Sequence, residues 1–183
     1  MSDELVIQQC SPTLAGIKTG NIFSCVYSSK EQLKAEIRKL NSLLVKKGLR
    51  MIPLKFMEKR ALVYLYRPAY LKGDLLDCEA SKILKDCGYD CNHPELCIVN
   101  LVKRLEECSD FPHEIGLFLG YPPEDVKGFI ENNARDYKFV GCWKVYGDED
   151  KARMLFSQYK KCTEHFVKQL TQGSSIERLA VAM

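Results

Sequence analysis

RMIPLKF (50–56) and ALVYLY (61–66), separated by a short charged link ending Glu58-Lys59-Arg60, are the residues that decide the fold class. Both runs are rich in apolar, β-branched and aromatic residues, and a link this short makes them a hairpin. Ala61 to Tyr66 is apolar nearly throughout, as in a central strand covered on both faces. Pro53 cannot donate to a ladder, so the first run belongs at an edge, and Pro68 ends the second. Upstream, Leu33, Ile37, Leu40 and Leu44 repeat at helical spacing, with Ser28 or Ser29 as cap and Gly48 as stop, predicting a helix over 30–47.

Further out, Ser11-Pro12 reads as a helix start, with Ser11 capping and Pro12 in the first turn. That helix would run from Thr13 to about Phe23 with Leu14 and Ile17 inward, and Gly16 and Gly20 set for close packing. Residues 69–108 read as helical pieces: one from Cys78 to Cys87, capped by Asp77 and stopped by Gly88, and one opened by Pro94 and running to about Glu107. YKFVGCWKVY (137–146) reads as a third strand, and 149–171 as a long last helix. The tail from Gly173 is a short helix or a strand. The sum is an α+β fold: a helix-rich single domain over 1–183, with a small, mainly antiparallel sheet of about three strands (50–56, 61–66, 137–146).

FPHEIGLFLGYPPEDVKGFIEN (111–132) predicts two short helices joined by a tight corner. Gly120 would stop the first with a positive φ, Pro122-Pro123 would open the second, and Glu124 and Asp125 suit its positive end. Together with CSPTLAGIKTGNIFS, LVYLYRP, GCWKVYGD and YKKCT, in that order along nearly the full length, this string resembles a family of unknown function from anaerobic Firmicutes, the domain-of-unknown-function 3793 family. The resemblance carries no activity across. It implies one complete unit and an anaerobic bacterial cytoplasm.

A chain of 183 residues, 46% hydrophobic and 28% charged, has enough apolar material for a real core. Its net charge of +3 comes from interspersed acids and bases, and the longest basic cluster is Lys46-Lys47 with Arg50, so no nucleic-acid partner is expected. No apolar run is long enough to span a bilayer, so no membrane partner is expected either. MSDELVIQQC lacks the pattern of an export signal, which together with nine cysteines predicts reduced thiols and a cytoplasmic location.

The candidate sites are few. Cys10, placed just before the expected helix start, could be held as a thiolate, with Lys18 as cationic partner and His113 as base; the other reading is an ordinary buried thiol at a junction. His113-Glu114 is no zinc-protease motif, because Leu117 stands where the second histidine belongs. Cys78, Cys87, Cys91, His93 and Cys97 offer soft metal ligands at spacings unlike a ribbon or finger, so the last four are weak metal candidates against a reading as scattered thiols. Arg67, after the central strand, suits a carboxylate or phosphate clamp or a structural ion pair. Trp143, with Phe139 and Tyr146, offers an aromatic ligand wall or core packing. No Walker-type or dinucleotide loop is present, and no cofactor is indicated.

Three functions follow: a binding module for a small molecule or protein partner, with ligand contacts from Lys18, Arg67, Glu114 and Trp143 near the 10–20 helix and the 111–132 hairpin; a thiol-dependent enzyme using Cys10 with His113; and a metal–thiolate protein. The binding reading is preferred, because no complete catalytic constellation can be written from the residues.

Overall fold

The computed structural model describes residues 1–90, 93–107 and 111–182. The fold class is α+β, helix-rich, with a three-stranded antiparallel sheet and a separate two-stranded ribbon. The chain gathers into two compact units, Met1–Ala69 with Tyr159–Met183, and Tyr70–Gln158.

In the first unit, β2 (Arg50–Phe56) and β3 (Arg60–Tyr66) form the expected hairpin, and β3 is central in the order β1-β3-β2. The β2–β3 register slips between Pro53 and Lys55, a bulge beside the one residue that cannot donate to the ladder. α2 (Lys30–Leu44) is capped by the Ser29 hydroxyl, continues as a single 3₁₀ turn (Val45–Lys47), and stops at Gly48 with φ 75°.

The third strand of the sheet is not 137–146. It is β1 (Gly20–Val26), which pairs with β3 from Gly20↔Tyr66 to Val26↔Arg60. The helix expected from Thr13 to about Phe23 is corrected with it. α1 spans Asp3–Leu14: Ser2 caps it, Asp3 and Glu4 favour its first turn, and Val6, Ile7, Cys10 and Leu14 bury one face. Pro12 therefore lies inside the last turn, and the Ser11 hydroxyl donates to the Ile7 carbonyl rather than capping a start. Ile17, expected inward, is 43% exposed on the loop between α1 and β1. The core of this unit packs the buried face of α1 against β1, β3 and α2, with Phe166 from α8 (Glu149–Thr171) and Ile176 from α9 (Ile176–Leu179).

The second unit holds α3 (Pro68–Leu76, from Tyr70 onward), α4 (Cys78–Asp86), α5 (Pro94–Glu107), α6 (Ile115–Phe118), α7 (Pro123–Glu131), the ribbon, and residues 149–158 of α8. Asp77 caps α4 and Gly88 follows it with φ 83°, as the sequence predicts. The ribbon is β4 (Phe139–Val140) against β5 (Lys144–Val145). The run 137–146 folds back on itself because the Gly141 N–H bonds to the Trp143 carbonyl at 3.0 Å, closing a turn that a continuous strand would not make. Gly141 also lies against the Phe156 ring, where an added Cβ would come within 2.3 Å. Among the described residues no helix is long and apolar enough to cross a membrane.

Candidate functional site

The 111–132 segment builds its corner as its residues dictate. Gly120 has φ 74°, its N–H bonds to the Leu117 carbonyl at 3.1 Å, and the Tyr121 N–H bonds to Gly116 at 3.0 Å, which closes α6 as a Schellman motif. Pro122 is the N-cap of α7 and Pro123 its first residue. Gly116 lets the two short helices meet, since a Cβ there would lie 2.8 Å from Val126.

Asp125, in the first turn of α7 and 3% exposed, fixes the ribbon to this corner. Its Oδ2 accepts from Trp143 Nε1 at 2.6 Å, and its Oδ1 accepts from the Tyr146 and Gly147 N–H groups, both at 2.7 Å. Three donors on one buried carboxylate are charge-assisted bonds of the stronger kind. A two-residue ladder on its own would be marginal; the carboxylate supplies the missing attachments.

Between corner and ribbon lies a cavity of about 400 Å³. Phe111, Tyr121, Phe129 and Trp143 give it aromatic walls, and His113 and Lys144 bring polar groups. Tyr121 stacks on Trp143 at 4.5 Å between ring centroids, and Phe156 stands edge-on to Trp143 at 4.4 Å. The His113 ring leans on Phe129 at 4.9 Å, and neither imidazole nitrogen has a hydrogen-bond partner among the described residues. Lys144 Nζ donates to the Ala134 carbonyl at 2.7 Å and stands over the Tyr137 ring (4.7 Å) and the Phe129 ring (5.8 Å). Such an arrangement can hold a small apolar group against its aromatic walls while offering it N–H donors.

Of the residues picked from sequence, His113 and Trp143 line this cavity. Glu114 does not. It is 3% exposed, and its Oε1 accepts from Tyr89 Oη at 2.9 Å and Arg104 Nε at 2.8 Å, a partly buried network that joins the corner to α5. Arg67 is no anion clamp either. Fully buried, it turns Nε to the Thr13 carbonyl and Nη2 to the carbonyls of Leu14 and Val181, each at 2.8 Å, with Nη1 3.3 Å from that of Lys47. It thus neutralises the negative end of α1 and satisfies carbonyls the helix leaves open.

Cys10 and His113 belong to different units. Cys10 is wholly buried in α1, and burial drives its thiol pKa upward; the Lys18 ammonium lowers it, but by less. A helix start would have favoured the thiolate, whereas the helix interior disfavours it. Lys18 is itself buried, with Nζ donating to the Gly20 carbonyl at 2.7 Å. Of the metal candidates, Cys91 lies outside the described residues. Cys97 is buried with its thiol donating to the Asp90 carbonyl at 3.3 Å, Cys87 caps the end of α4, and His93 is exposed. Among the described residues no three His, Cys, Asp or Glu groups converge as metal ligands.

Asp125, Lys144, Phe129 and Cys142 escaped the sequence reading. Asp125 was visible only as a helix-start acid, and Lys144 as one charge among many. What links them is the fold-back at Gly141, which brings the ribbon onto α7.

Fold and site together define a helix-rich α+β protein with an aromatic cavity between a helical corner and a two-stranded ribbon. The chain belongs to the family described as Protein of unknown function (DUF3793), whose model matches residues 6–180. No curated protein and no solved structure matches it.

Proposed function

We propose that this protein is a small-ligand-binding module whose site is the cavity between the 111–132 corner and the 139–145 ribbon. The observation that carries the reading is the cavity itself: about 400 Å³, with aromatic walls and two polar groups that do not bond to each other. That volume and lining match small-molecule sites, at the size of a one- or two-ring ligand. Phe111 and Val140, each 51% exposed, leave apolar surface at the mouth that a ligand would cover, at about 25 cal/mol per Å² removed from water.

Trp143 is the only tryptophan, so its emission reports on this wall alone. Titration with benzyl alcohol, a neutral one-ring probe, is expected to change that emission saturably. Val140→Phe fills the mouth from an exposed position and is expected to abolish the response while leaving the urea midpoint unchanged. A response that never saturates, or that survives Val140→Phe, would sink the reading.

A further inference from the structure

We propose that the ligand of this cavity is an aromatic anion, its ring lying against the aromatic walls and its carboxylate, or comparable oxyanion, bound by Lys144 with His113. The inference rests on the binding reading above and adds the sign of the ligand's charge.

Three observations point to it. Lys144 Nζ has one of its three donors on the Ala134 carbonyl, which leaves two for a ligand, and it stands over the Phe129 and Tyr137 rings. His113, exposed and with both nitrogens without a partner among the described residues, lines the same cavity and offers a further donor there. Among the described residues the one acid in the lining, Asp125, has both oxygens committed to the Trp143, Tyr146 and Gly147 N–H groups.

An aromatic cavity invites the opposite reading, a cage for a cationic ligand. Here a cation already occupies that role: the Lys144 ammonium lies over Phe129 and Tyr137. A second cation would meet it as a like charge in a partly desolvated space, where repulsion is stronger than in water. A neutral ring would fill the volume but offer the Lys144 ammonium no opposite charge.

The test compares benzoate, benzyl alcohol and benzylammonium, one ring carrying negative, no and positive charge, by Trp143 emission and calorimetry at low salt. Benzoate is expected to bind at least tenfold more tightly than benzyl alcohol, with benzylammonium weakest. Lys144→Met should erase the preference, benzoate and benzyl alcohol then binding that variant alike, and Lys144→Arg should retain the preference. Equal binding of benzoate and benzyl alcohol, or a preference that survives Lys144→Met, would overturn the charge assignment and leave the binding module standing. Failure of all three probes to bind would remove the module reading, and this inference with it.

Discussion

Cys10 shows how one position in a helix decides a residue's chemistry. At a helix start its thiol would face unpaired N–H groups and ionise easily; inside α1 those groups are spent on the helix and the thiol is shut from water. Thiolate fraction falls tenfold for each unit of pKa, so folded protein at about pH 8 should label at Cys10 with iodoacetamide at least ~100-fold more slowly than at exposed Cys78. Mass spectrometry of tryptic peptides over time reads the ratio directly. Rapid labelling of Cys10 would bring back a thiol-dependent activity. Arg67 teaches the same lesson with charge: placed after a strand it resembles a ligand clamp, yet its donors are turned to backbone carbonyls.

Among the elements, two helical glycines should respond oppositely to one substitution. Gly73 in α3 has open space where a Cβ would stand, so Gly73→Ala is expected to raise stability by about 0.5–1 kcal/mol through backbone entropy alone. Gly128 in α7 lies against Tyr146, where a Cβ would come within 2.4 Å of Cγ and 2.7 Å of Cβ. Overpacking outweighs the helix gain there, and Gly128→Ala is expected to cost about 1–3 kcal/mol. Paired urea denaturation curves decide both signs. The contrast also marks what could be read beforehand. α2, α4, α5, α7 and α8 carry their own caps, stops and apolar spacing, and the β2–β3 hairpin its own alternation, so local rules suffice for them. β1 and the 137–146 ribbon do not. Gly20–Val26 is a strand because β3 offers it an open edge, and 137–146 turns back at Gly141 to meet Asp125 and Phe156. Such choices rest on partners distant in sequence. The cavity inherits that difficulty: His113 and Trp143 were visible as residue types, whereas Lys144 and Asp125 gain meaning only after the fold-back.

At the scale of the whole molecule, four of the nine cysteines give stability an alkaline limit. Burial raises the pKa of Cys10, Cys25 and Cys87, and raises Cys162 from 9.0 to about 11. A raised thiol pKa means the folded chain keeps protons that the unfolded chain releases above about pH 9. The unfolded state then binds fewer protons, and stability falls with rising pH. The contribution is whole below about pH 9 and is lost through about pH 11 for Cys162, with Cys10 extending the decline higher. In reductant, the urea midpoint is expected to drop between about pH 8 and about pH 10.5, and to drop less in Cys162→Ala, where one source of the slope is gone. A midpoint constant over that range would count against the burial of these thiols.

The Arg67 contacts bear on the order in which the chain is made. Tyr70–Gln158 is a continuous stretch, whereas the first unit is interrupted by it and includes Tyr159–Met183. During synthesis the second unit can therefore emerge whole and close around its cavity while the first still lacks α9 and the tail. The hydrogen bond from Arg67 to the Val181 carbonyl spans 114 positions and forms only after Val181 has left the ribosome. Until then Arg67 lacks one of the carbonyls that offset its charge, and the first unit waits on the Tyr159–Met183 stretch for its last contacts.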